Sequence, residues 1–178
     1  METSRPPSAA RKTRCLIFDW GDTLMRTIPA FNGPMANWPR LETLPYAHRT
    51  LSKLQPDWIL ALATNARDST EEDIRTALGR ARLAHLLDHI YCSCDLGVEK
   101  PAPEFFNHIL TDLSLPRDSL VMIGDNYETD VVGANQAGIR AIWFNHRSNA
   151  TPSTPWMKTI HTLKGLPYVL KEFGPAVD

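Results

Sequence analysis

The chain has no apolar run approaching the roughly 20 residues that a helix needs to cross a bilayer, so no segment reads as a membrane span. Neither sign of charge is in excess. Nineteen Lys and Arg stand against 20 Asp and Glu, for a formal net charge of −1. No global field therefore draws the chain to nucleic acid or to an anionic membrane surface. Cysteine is sparse, and the three present, Cys15, Cys92 and Cys94, cannot all pair with one another. Cys92 and Cys94 fall two apart in an apparent strand, which places them on one face. They read as small side chains of a reducing, cytoplasmic protein. Residues 1–13 are rich in Pro, Ser and Arg and carry no apolar segment. They make no secretory signal and read as a disordered basic tail. Residues 14–178 suffice for a single domain with a substantial core.

What is present is an alternation of apolar strands and helical patterns. CLIFD (15–19), WILALA (58–63), HIYCSC (89–94), SLVMIG (119–124) and IRAIWF (139–144) read as five strands. Between them, 68–79 opens on the cap candidates Asp68, Ser69 and Thr70 and stops at Gly79. The segment 101–113 has Pro103 near its start and apolar residues at helical spacing. A short helix at 127–138 ends at Gly138, and a last one covers about 165–172. Residues 145–155 read as a polar loop. Continuously apolar strands alternating with helices predict an α/β fold, a parallel sheet covered on both faces. In such sheets ligands gather at the carboxyl ends of the strands, at the topological switch point.

The chemistry-bearing residues follow the strands directly. Asp19 ends the first, Thr64 and Asn65 end the second, Lys100 follows the third, and Asp125 ends the fourth with Asp130 five residues on. Each has an ordinary reading when taken alone. Asp19 suits a turn, Thr64 a helix cap, Lys100 a solvated loop, and Asp130 the first turn of a helix. Together they supply a nucleophile, donors for phosphate oxygens, a cation and hard oxygen ligands for magnesium.

FDWGDTL, LATN, GVEKPAPEFF and IGDNYETDVVGANQAG resemble, in this order, the four motifs of the haloacid dehalogenase (HAD) superfamily. The resemblance covers about residues 14–172. It implies a three-layer Rossmann-like sheet with strand order 5-4-1-2-3, and a phosphohydrolase working through an aspartyl phosphate on Asp19. It further implies Mg2+ held by Asp19, the backbone carbonyl of Gly21 and Asp125, with Asp130 behind them. Thr64 and the amide of Asn65 would hold phosphoryl oxygens, and Lys100 would neutralise charge between nucleophile and phosphate.

One position departs from the pattern. The carboxylate two residues after the nucleophile, which acts as general acid and then base in most family phosphatases, is Gly21 here, and an acid stands one place later as Asp22. General acid–base help is worth about 10²–10⁴ in rate, so the expected enzyme is slow on poor leaving groups. A one-residue shift in an extended chain turns a side chain to the opposite side, which suits Asp22 to pinning the loop. Dehalogenases of the family also lack this acid, but they generally lack the paired Asp125 and Asp130 as well. Phosphonate-cleaving members need a cap lysine, and residues 21–52 contain none. The alternative from another class is a catalytically weak phospho-ligand-binding protein that keeps the metal crevice.

Only 44 residues separate Asp19 from Thr64, too few for a large cap domain once a helix near 46–54 and the second strand are subtracted. Residues 25–45 read as an irregular, proline-interrupted flap. Its Phe31, Met35 and Trp38 would cover the crevice, meet another subunit or pack back onto the domain. A nearly capless site suggests a phosphorylated substrate that can be large, or closure by homo-oligomerisation. Nucleic acid gains no support from the charge.

Overall fold

The computed structural model describes residues 12–173. The basic tail expected over 1–13 therefore lies almost wholly outside the described residues. Its last part is already packed, with Lys12 Nζ 3.7 Å from Asp88. Arg14 beside it stacks its guanidinium 4.2 Å from the Trp58 ring centre.

Strands β1 (Cys15–Phe18), β2 (Ile59–Thr64), β3 (His89–Cys92), β4 (Leu120–Gly124), β5 (Arg140–Phe144) and β6 (Met157–Ile160) form one sheet in the order β3-β2-β1-β4-β5-β6. Every pairing is parallel. The helices are α1 (Ala47–Leu54), α2 (Glu71–Arg80), α3 (Ser93–Leu96), α4 (Pro103–Leu113), α5 (Gly133–Gln136) and α6 (Leu166–Phe173). The expected order of five strands holds, and β6 extends it at the edge beside β5. MKTI gave no strand signal because its two middle residues stay partly exposed. An edge strand with a single partner does not need the continuous apolar run of a central one.

Alternation along each strand divides the core in two. Leu16, Phe18, Leu60, Leu62, Val121 and Ile123 pack on the face that carries α1, α2 and α6. Cys15, Ile17, Ala61, Ala63, Met122 and Ala141 point to the other face, where Phe105, Phe106 and Ile109 of α4 fill the space that those alanines leave. Helix α2 begins at Glu71, and of the three cap candidates Thr70 is the one that caps it, making the capping box with Asp73. One expectation is overturned. Strand β3 stops at Cys92 and the chain turns into α3, so Cys92 is buried while Cys94 is exposed, and the two share no face.

The flap is anchored at both ends and in the middle. Leu44 N–H donates to Leu24 O (2.9 Å) and Arg26 N–H to Glu42 O (2.8 Å). From α2, Arg80 donates to the carbonyls of Ala36 and Trp38, both at 2.7 Å. Met35 and Trp38 are buried and Phe31 packs edge-to-face on Trp38, so these three side chains lie back on the domain.

Phe106 is fully buried against the alanine face. Phe106→Ala should lower stability by about 3–5 kcal/mol through lost transfer energy and a residual cavity, read from the midpoint of urea unfolding.

Candidate active site

Strands β1 and β4 are neighbours, so the residues that follow them emerge side by side. Asp19 N–H still donates to Ile123 O at 2.8 Å, which extends the ladder by one step and fixes where Asp19 leaves the sheet. Asp125 follows β4 directly. Carboxylate oxygens of Asp19, Asp125 and Asp130 lie within 4.8 Å of one another. Thr23, fully buried, ties the first two together. Its hydroxyl accepts from Asp125 N–H (3.1 Å) and lies 3.2 Å from Asp19 Oδ2 and 3.5 Å from Asp125 Oδ1.

Lys100 enters this cluster from below. Its ammonium donates to Asp19 Oδ1 (2.8 Å), Asp130 Oδ1 (2.7 Å) and Ala63 O (2.8 Å), which uses all three of its hydrogens. The side chain is almost wholly buried. Burial alone would pull its pKa down, but Asp130 and Asp19 outweigh burial and leave it raised, so the ammonium stays charged. The second Asp130 oxygen accepts from Asn126 N–H at 3.0 Å. Both Asp130 oxygens are thus committed to protein donors, which suits a supporting position behind Asp19 and Asp125. The carboxylate comes so close to β4 that a side chain at Gly124 would overlap it. Glycine is required there by proximity.

Thr64 and Asn65 end β2 on the same rim. Thr64 Oγ1 accepts from Ala66 N–H at 3.2 Å. The Asn65 side chain clasps the backbone of Lys100, accepting from its N–H (2.9 Å) and donating to its carbonyl (2.7 Å). Asp19, Gly21, Thr64, Asn65, Lys100 and Asp125 all line one crevice of about 360 Å³, walled on its far side by Met35 and Trp38 of the flap. The expected residues are therefore brought together. Asp130 stands immediately behind them.

Asp22 is not among the residues lining the crevice. Its backbone is left-handed (φ 56°), and its carboxylate accepts from Thr27 N–H (3.0 Å) and from Arg147 Nη2 (2.9 Å). Arg147 also reaches Asp125 Oδ2 at 3.1 Å. Sequence reasoning missed Thr23, Arg147 and the clasp of Asn65 on Lys100. Thr23 stands inside the first motif and was the one legible candidate. Arg147 lies in a polar loop with no motif around it.

The Asp19 and Asp125 carboxylates, with Asp130 behind them, form a cluster of hard oxygen donors of the kind magnesium prefers. Electrostatics agree. Burial, then Asp19, push the Asp125 carboxyl up to about 6 against the pull of Arg147. Burial also pushes the Asp130 carboxyl up, against the pull of Lys100. A divalent cation would relieve both.

Two outcomes are expected. Lys100→Met should cost about 3–5 kcal/mol in chemical unfolding, because it leaves buried carboxylates without their counter-charge. Asp125 binds its proton more readily in the folded chain than in the unfolded one. Its contribution to stability is full below the unfolded carboxylate value and is lost as pH rises through about 6. In metal-free thermal melts, Asp125→Asn should therefore raise the melting temperature relative to the parent at pH 7.5 more than at pH 5. Added Mg2+ should stabilise the parent at pH 7.5 and fail to stabilise the variant.

Similarities to known proteins follow the same lines. The haloacid dehalogenase-like hydrolase family matches residues 32–138, a span holding Thr64, Lys100, Asp125 and Asp130. A phosphoserine phosphatase from Thermus thermophilus is 37% identical over 84 residues, 47% of this chain and 32% of that protein. A ribulose-1,5-bisphosphate 5-phosphatase from Halopiger xanaduensis is 32% identical over 116 residues, 64% of this chain and 47% of that one. The chain thus spans about a third to a half of the length of these relatives. Among solved structures, an uncharacterized protein from Listeria monocytogenes serotype 4b superposes with a TM-score of 0.80 at 27% identity, covering 90% of this chain and 98% of that one. A HAD phosphatase from Thermococcus onnurineus gives a TM-score of 0.64 at 25% identity, covering 76% and 61%. With the family match over more than half its length and a sheet and crevice of this form, the chain belongs to the haloacid dehalogenase-like hydrolases.

Proposed function

We propose that the chain is a Mg2+-dependent phosphohydrolase that uses Asp19 as its nucleophile and passes through an aspartyl phosphate. The observation that carries this reading is the Lys100 ammonium, held at once on Asp19 and Asp130 beside Asp125. Such an arrangement fixes Asp19 through one oxygen and sets a positive charge beside it. Asp19 attacks phosphorus, and the leaving oxygen departs on the opposite side. Thr64 Oγ1 and the amide of Asn65 hold phosphoryl oxygens. Lys100, with its hydrogens committed to protein acceptors, acts through its field and by fixing the nucleophile. Asp19, Asp125 and the carbonyl of Gly21, with Asp130 in support, would hold the metal, which would supply the positive charge without which a carboxylate and a phosphate dianion repel one another.

Relatives named as phosphatases support a phosphorylated substrate. Its size is better argued from the flap than from the missing cap. With Met35 and Trp38 packed back as a wall, the crevice of about 360 Å³ lies near the lower end of the small-molecule range, about 300–1,000 Å³. A compact phosphate compound fits, and neither a second subunit nor a macromolecular substrate is needed to complete the site. No helix among the described residues is long and apolar enough to cross a membrane.

Gly21 favours a second reading, a protein that binds phospho-ligands with little turnover. A p-nitrophenyl phosphate assay separates the two. The hydrolase reading expects turnover that needs Mg2+ and falls to background in Asp19→Asn. Tight Mg2+ and phosphate binding by calorimetry without turnover would favour the binding protein.

A further inference from the structure

Gly21 leaves open what meets the leaving group. An ideal Cβ built on Gly21 would lie 2.9 Å from Thr27 Oγ1 and 4.0 Å from Met35 Cε. Any side chain at 21 would therefore press against the Thr27 hydroxyl and make it shift, so this hydroxyl stands next to the place where an acid at that position would begin. Both residues line the crevice beside Asp19. Thr27 is fixed there from behind by its N–H, bonded to Asp22 Oδ1 at 3.0 Å. Its residue is exposed, and its hydroxyl has no hydrogen-bond partner among the described residues.

The other titratable groups of the crevice are accounted for. Asp19, Asp125 and Lys100 have the roles given above. Asp22 turns away, its carboxylate shared between Thr27 N–H and Arg147 and its carbonyl 3.0 Å from His146 Nε2. Asp68 lies in the loop after β2, on the rim that carries Thr64, and accepts from Ser69 Oγ at 3.1 Å.

We infer that Thr27 Oγ1 faces the leaving oxygen in place of a carboxylic acid, and that the physiological substrates are acyl phosphates, whose leaving group needs no proton. This rests on the phosphohydrolase reading above. A carboxylate leaving group has a conjugate-acid pKa of about 4 and a phenol about 10, whereas an alcohol is far less acidic than either and lies near water. A threonine hydroxyl donates a hydrogen bond to a departing anion but does not protonate an alkoxide.

In the first step an Asp19 oxygen bonds to phosphorus. The bond from phosphorus to the acyl oxygen breaks, and the carboxylate leaves with the electron pair, hydrogen-bonded to Thr27. In the second step a water oxygen bonds to phosphorus and Asp19 leaves as carboxylate. Both water protons end on the product, dihydrogen phosphate, from which one passes to solvent at neutral pH.

The test is a series of acetyl phosphate, p-nitrophenyl phosphate, phenyl phosphate and glycerol 3-phosphate, all with Mg2+. The expected kcat/KM falls along the series, by at least about a thousandfold from first to last, within the range that absent acid catalysis accounts for. Thr27→Val should lower phenyl phosphate turnover about tenfold more than acetyl phosphate turnover, a difference that a purely structural role would not produce. Gly21→Asp alone should lose activity on every substrate. Gly21→Asp with Thr27→Ala, which makes room for the acid, should raise glycerol 3-phosphate turnover about ten- to a hundredfold and flatten the series.

Turnover that ignores leaving-group acidity would overturn the inference and leave the phosphohydrolase intact. So would equal losses on all substrates in Thr27→Val, or a selective loss of glycerol 3-phosphate turnover in Asp68→Asn, which would make Asp68 the acid. Absence of metal-dependent turnover on all four substrates would remove both readings. Thermal melts of each variant separate misfolding from lost chemistry.

Discussion

One buried ammonium organises this protein. Lys100 reaches into the sheet from the loop before α4 and divides its three hydrogens between two carboxylates and a main-chain carbonyl. Each of these groups would be costly to bury alone. Together they fix Asp19 at the end of β1, Asp130 within the helical segment Tyr127–Val132 after β4, and the end of β2, which are three separate parts of the chain. The clasp of Asn65 on the Lys100 backbone and the close approach of Asp130 to Gly124 complete the same constraint. In the proposed reaction, a nucleophile held in this way would lose little entropy when it attacks.

The flap and the displaced acid adapt this shared core. With no large cap between Asp19 and Thr64, the segment closes down on α2 through Arg80 and contributes Met35 and Trp38 as a wall. Asp22, moved one place along, stabilises the first loop against the loop after β5 instead of entering the crevice. The space beside Gly21 then falls to Thr27. A loss at one position and a gain at the next thus become a change in the chemistry the crevice can perform, from proton transfer to hydrogen bonding.

Much of this was legible in the sequence because the parallel strands are continuously apolar and the functional side chains sit where they end. Asp19, Thr64 and Asp125 could be placed from strand ends alone, and Lys100 from the GVEKPAPEFF stretch that follows β3. The hidden parts have specific physical reasons. β6 is half exposed and has one neighbour, so it lacks a buried strand's pattern. HIYCSC carries no Gly or Pro where the backbone leaves the strand at Ser93, so Cys94 reads as part of β3. Thr27 and Arg147 act through contacts between segments far apart in sequence or held in a left-handed turn, which no local periodicity records. The flap's packing depended on Arg80, a charged residue whose partners are carbonyls and carry no sequence signal.

The central claim is that Asp19 becomes covalently bonded to phosphorus. Rapid acid quench of the protein turning over acetyl phosphate with Mg2+, followed by peptide mass spectrometry, tests it most directly. The account predicts a phosphoryl group on the peptide containing Asp19, formed only with the metal and absent from Asp19→Asn. Full turnover with that peptide unmodified at every quench time, or with the phosphoryl group on another residue, would contradict it.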